Sequence, residues 1–165
     1  MPAAFKDRVA QLTIRPPVPL TANSPGTLPC DAKLLVFEAA HSPADVAVWF
    51  PGSRVLIAGD LCFNGVTPLA LHGSLPGWLT ALRTLMELRP RTVVPGHGPV
   101  GDATMLAALV DHLHVTWALA LRAARQRIPA DDAIKDLAPP AGWIEPQRCR
   151  LNFETALAQA QARAP

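Results

Sequence analysis

Tyrosine is absent from this chain and cysteine is scarce. The three cysteines, Cys30, Cys62 and Cys149, are odd in number and far apart, and none forms a C-x-x-C pair. No disulfide framework is therefore expected, and that usage points to a reducing cytoplasm. No run of 18 apolar residues occurs, and no charged n-region leads into an apolar h-region after Met1. Neither a membrane span nor a signal peptide is expected. Charge of one sign is never concentrated: 15 Lys and Arg are interspersed with 13 Asp and Glu, for a net charge of +2. A nucleic-acid-binding stripe and a charged tail are both excluded on that ground. No internal repeat is evident. The missing tyrosine fits a G+C-rich coding bias better than any function.

What is present is apolar. Half of the 165 residues are hydrophobic and the mean hydropathy is +0.20, enough for one domain with a real core. Proline, at 18 residues, concentrates in loops and near both ends. Residues 1–32 read as an irregular N-terminal connector, because Arg15-Pro16-Pro17-Val18-Pro19 removes donors and restricts the preceding residues. The character changes at Lys33. Leu34–Phe37, Val46–Phe50 and Val55–Ala58 are apolar runs of strand length, and Pro51-Gly52-Ser53 makes a hairpin of the last two. Their continuous apolarity predicts strands buried on both faces. Ser74 caps a predicted helix over 76–88, Thr92-Val93-Val94 is a short strand, and Asp102 opens a long helix over about 103–127. A short helix from Pro129 to Leu137 and a last one from Glu145-Pro146 complete an α/β pattern.

Three Gly- or Pro-marked segments each place one metal-ligand type just after an apolar run: Ala40-His41-Ser42-Pro43-Ala44-Asp45, Ala58-Gly59-Asp60-Leu61 and Pro95-Gly96-His97-Gly98-Pro99. A carboxylate at the end of a buried strand needs a cap or a cation. A histidine between glycines leaves room for close approach. Imidazole and carboxylate are suitable donors for zinc and similar ions. His41, Asp60 and His97 are thus the candidate metal ligands. Cys62 reads as a buried thiol, Asp45 as a partner of the loop holding His41, Asn64 as a fixer of the turn after Asp60, and His72 as a loop histidine beside a cleft.

Together with Asn64-Gly65-Val66-Thr67-Pro68, these segments resemble the C-terminal half of the metallo-β-lactamase-fold hydrolases, closest to the glyoxalase-II-like or thioesterase-like branch. The resemblance runs through Trp143 and Glu145-Pro146-Gln147-Arg148 to about Leu157. It implies that residues 33–165 form the C-terminal half of a four-layer αββα sandwich, with C-terminal helices. It also implies hydrolysis of a small ester, thioester or amide by metal-bound hydroxide. In that scheme His41 would serve a first zinc site, Asp60 would bridge two ions and His97 would complete the second. The family's H-x-H-x-D-H motif is missing. The nearest look-alike, Asp111-His112-Leu113-His114, lies in a helical pattern, where residues two apart point about 200° apart and cannot chelate together. Ala44 also stands where the family usually has glycine. The resemblance therefore implies a depleted zinc site and an exposed apolar face or sheet edge. Two functional readings follow: a truncated metal-dependent hydrolase relative, or a non-catalytic remnant. As partner, both readings imply either a second copy of the chain, in a homo-oligomer, or a complementary chain of a split hydrolase.

Overall fold

Strand order follows chain order in a four-stranded sheet, β1-β2-β3-β4. The computed structural model describes residue 13, residues 29–135 and residues 137–163. Most of the expected connector, 1–32, thus lies outside the described residues. The strands are β1 (Lys33–Glu38), β2 (Ala44–Phe50), β3 (Val55–Phe63) and β4 (Thr92–His97). β1, β2 and β3 pair antiparallel, and the hairpin expected around Pro51-Gly52-Ser53 joins β2 to β3. β4 returns parallel to β3 after helix α1 (Leu75–Glu87), the crossover a parallel pair requires. Three further helices follow: α2 (Thr104–Gln126), α3 (Ala130–Ala133) and α4 (Arg148–Gln161). The chain is thus a mixed α/β fold with C-terminal helices.

The helices cover one face of the sheet. Ala47 and Trp49 of β2, Leu56 and Ala58 of β3 and Val93 of β4 are buried under α1 and α2, and α4 packs on α2. Trp78, fully buried on α1, donates its indole N–H to the Leu61 carbonyl at 2.9 Å and so ties the helix to β3. Ser74 caps α1 as its sequence suggests, its hydroxyl accepting from Gly77 N. Asp102 acts two residues before the first residue of α2, accepting from both Thr104 N and Thr104 Oγ1. α2 is long and apolar enough to cross a membrane by length and composition. Its apolarity is accounted for by a buried stripe of Met105, Leu106, Leu109, Leu113, Ala120 and Ala123 at helical spacing.

The opposite face differs from the expectation of full burial. Directly paired residues share a face, and the register Leu34↔Val48, Val48↔Ile57, Ile57↔Val94 lays one apolar row across all four strands. Val36↔Val46 and Phe50↔Val55 extend it. Among the described residues no helix covers this row, and Val46 and Ile57 are 41% and 40% exposed. The strands carry the composition of a doubly covered sheet, whereas only one cover is present among the described residues.

Candidate metal centre

The site begins with an irregularity in β3. Gly59 pairs with Pro95 and Phe63 with His97, so Asp60, Leu61 and Cys62 together oppose the single residue Gly96. Such a bulge bends the strand and re-aims a side chain. Gly59 sits at φ +53°, which a glycine adopts without strain. The result turns the Asp60 carboxylate across β4. A Cβ on Gly96 would lie 2.0 Å from Asp60 Oδ1, so the missing side chain is the space the carboxylate occupies. His97, at the end of β4, brings Nε2 to 3.4 Å from Asp60 Oδ1. Both side chains are about half exposed, open to a ligand. The Phe63 ring stacks on His97 at 4.8 Å between centroids and 14° between planes, which fixes the imidazole's orientation.

His41 comes from the loop between β1 and β2. Asp45 organises that loop: Ser42 N donates to its Oδ2 and Ser42 Oγ to its Oδ1, each at 2.9 Å. His41 Nδ1 stands 3.8 Å from Asp45 Oδ1, beyond hydrogen-bond length. Its Nε2 meets the Leu69 carbonyl at 3.1 Å, and its ring packs edge-on against Trp78. The His41 backbone is held just as closely. A Cβ on Gly73 would lie 1.8 Å from Ala40 O and 2.5 Å from His41 C.

All three candidates line one cavity of about 230 Å³, with Phe63, Leu69, Leu71, His72 and Arg148 as the other walls. His72 therefore does sit beside the cleft. Asn64 holds the two turns of the site together, its N–H bonded to His97 O at 3.0 Å and its side chain donating to Pro99 O at 2.8 Å. Arg148 and Phe63 were not singled out by sequence reasoning. Arg148 lies far along the chain from Asp60, and only folding joins them. Asn152, fully buried on α4, makes that join: it accepts from Ala70 N and donates to Pro68 O. Cys62 is buried, and loss of solvent pushes its thiol up to about 12, so it offers no thiolate to the site. His112 is buried and His114 exposed on α2, and neither lines this cavity.

Residues 4–97 match the model of the metallo-beta-lactamase superfamily, a span that is more than half of the chain and includes His41, Asp60 and His97. The chain belongs to that superfamily. Its fold is similar to the solved structure of TMB-1, at 19% identity and TM-score 0.52, over 67% of this chain and 52% of that one. Crystals of VMB-1 show a similar chain at 24% identity and TM-score 0.44, covering 48% of this chain and 39% of that one. The metallo-beta-lactamase from Pontibacter korlensis stands at 25% identity and TM-score 0.41, over 49% and 42%. This chain thus spans about half, or less, of the length of these structures. No curated protein matches it.

Members of the metallo-beta-lactamase superfamily typically bind metal ions. Here the donor chemistry fits: a carboxylate and an imidazole stand 3.4 Å apart, a separation two donors on one ion can share, and the Gly96 backbone is shaped around the carboxylate. A second imidazole, His41, faces the same cavity. Among the described residues, however, no group of three His, Cys, Asp or Glu is close enough together to hold an ion. His41 Nε2 is instead engaged with Leu69 O at 3.1 Å.

Proposed function

We infer that this chain provides part of the metal site of a metal-dependent hydrolase acting on an ester, thioester or amide, with Asp60 and His97 as its preassembled ligands and His41 as the third. The observation that carries this reading is the Asp60–His97 pair at 3.4 Å across the bulge of β3. Two imidazoles and one carboxylate suit zinc, among other divalent ions. When bound, such an ion polarises an acyl carbonyl and acidifies a water molecule.

The chain's own residues do the rest. Asp60 and His97 would hold the ion, and the Phe63 ring orients the His97 imidazole. Phe63, Leu69 and Leu71 exclude water from one wall and receive the acyl chain. His41 would be the third ligand if its Nε2 were released from Leu69 O. Asp45 Oδ1, now 3.8 Å from Nδ1, would have to close to hydrogen-bond length to keep the proton on that nitrogen and leave Nε2 free as the donor. Further ligands come from a complementary sheet that covers the open row Leu34–Val48–Ile57–Val94. That occupant is favoured because the row is continuous across all four strands and no helix covers it among the described residues.

Metal titration of the purified, untagged chain tests this. One zinc per chain is expected, with binding lost in Asp60→Asn and in His97→Gln and weakened in His41→Gln. Zinc binding unchanged in Asp60→Asn would overturn the assignment.

A further inference from the structure

The segment from Pro68 to Leu75, which supplies Leu69, Leu71 and His72 to the cavity, is gripped at two points by one helix. Asn152 of α4 accepts from Ala70 N at 2.8 Å and donates to Pro68 O at 2.9 Å. Gln159 lies seven residues further along α4, two turns on and so on the same face. It accepts from Leu75 N and donates to Gly73 O, each at 3.0 Å. Both carboxamides thus make the same two-pronged bond, to a carbonyl and to the N–H two residues later. That pattern fixes which way each amide faces, because a backbone N–H only donates and a carbonyl only accepts. Leu75 is also the first residue of α1, where its N–H has no partner within the helix, and Gln159 supplies one.

Each grip brackets a residue that holds His41. Leu69 lies between the two residues bonded to Asn152, and its carbonyl meets His41 Nε2 at 3.1 Å. Ser74 lies between the two residues bonded to Gln159, and its N–H donates to Ala40 O at 2.9 Å. The ring of His41 is thus held from one grip and its backbone from the other. The backbone side has no slack, since Gly73 packs too closely on Ala40 O and His41 C to admit a Cβ. We propose that Gln159 is a positioning residue for His41: through Ser74 and Ala40 it fixes the loop that carries this imidazole to the Asp60–His97 pair, with Asn152 acting on the ring through Leu69. Gln159 touches neither the site's donors nor its cavity, so it acts only through these contacts. The consequence for a bound ion rests on the functional reading above, whereas the grip on His41 does not. Because Leu69 O can only accept, the grip also selects the tautomer of His41 with its proton on Nε2.

Gln159→Leu removes both prongs and keeps most of the bulk. NMR of the metal-free chain at one pH follows the ring nitrogens of His41 and His97 and the hydrogen exchange of the Ser74 amide. The parent should show His41 with its proton on Nε2. In Gln159→Leu the Ser74 amide should exchange about 10-fold faster, the equivalent of one lost hydrogen bond, and His41 should become a mixture of tautomers. The His97 ring should not change. Gln159→Glu keeps the prong to Leu75 N and should fall between the two. Unchanged Ser74 exchange and His41 tautomer in either variant would overturn the proposal, and so would equal loosening at His97, the mark of a merely structural role. Should Gln159→Leu fail to fold, Gln159→Glu carries the same readings. Zinc titration supplies a double-mutant cycle. Gln159→Leu should weaken binding about as much as His41→Gln, and the two together no more than either alone. Additive losses would overturn it. A parent chain that binds no zinc would sink the functional reading and leave the metal-free spectra to decide the role of Gln159.

Discussion

Asp60 occupies the volume that a side chain at position 96 would need. The contact is backbone-imposed, because a Cβ at 96 would also lie 2.8 Å from Asp60 N and from Gly59 C. A flexible side chain could swing away, but these atoms cannot. Gly96→Ala should therefore push the carboxylate or β4 aside, at about 1–3 kcal/mol of stability by the usual cost of overpacking. With the Asp60–His97 pair parted, zinc affinity should fall by at least about 10-fold, roughly one charge-assisted contact. Gly52→Ala is the matched control, since its Cβ would meet nothing within 4 Å. Chemical denaturation and zinc titration of both variants check this, and equal affinities would show that Asp60 does not need the cradle. The cradle was only half legible beforehand. The glycines around His97 signal close approach, but not that the approaching group is the neighbouring strand's carboxylate.

α2 shows what periodicity can and cannot reveal. Its length and apolar stripe follow from the spacing of Leu106, Leu109, Leu113 and Ala120, and Ser74 and Pro90 bound α1 as their chemistry dictates. The strands, the hairpin and the three candidate ligands at strand ends were legible for the same reason: each depends on local pattern. Arg148 was not legible as a site residue, because its place depends on Asn152 and on the bonds of Thr67 to Ile144, which are contacts across more than 75 residues. Nor was the burial of His112 within α2, since a helical repeat does not say which turn a neighbouring loop will cover. His112 is 5% exposed, with Nε2 unpartnered and the Trp143 ring 5.7 Å away. Burial lowers its pKa from the ordinary 6.5. The unfolded chain therefore binds the proton first on acidification. Stability attributable to this group is full above about pH 6.5 and is lost as pH falls through the lower folded value. His112→Leu should flatten the fall in thermal midpoint between pH 7 and pH 5 relative to the parent chain. Parallel curves for the two proteins would show that His112 does not titrate on unfolding.

For the molecule as a whole, the decisive feature is the asymmetry of the sheet's two faces. One is sealed by α1 and α2. The other presents Leu34, Val48, Ile57 and Val94 in a continuous row without a charge, flanked by Val36, Val46, Phe50 and Val55. Monomeric proteins rarely leave such a patch open, and its closure by a second sheet about 10 Å away is the usual solution. Purified alone, the chain is expected to self-associate reversibly through this face. It should then sediment as a concentration-dependent mixture heavier than its 17.6 kDa. Because Val46 and Ile57 are about two-fifths exposed, lysine at either position should cost the isolated chain little, within about 0.5 kcal/mol as for ordinary surface changes. The Val46→Lys/Ile57→Lys double variant should therefore stay folded and sediment as a monomer. A parent chain that remains monomeric at every concentration, and binds no hydrophobic dye, would mean that the face is covered within the chain itself. The site's further ligands would then have to be sought on this polypeptide rather than on a complementary one.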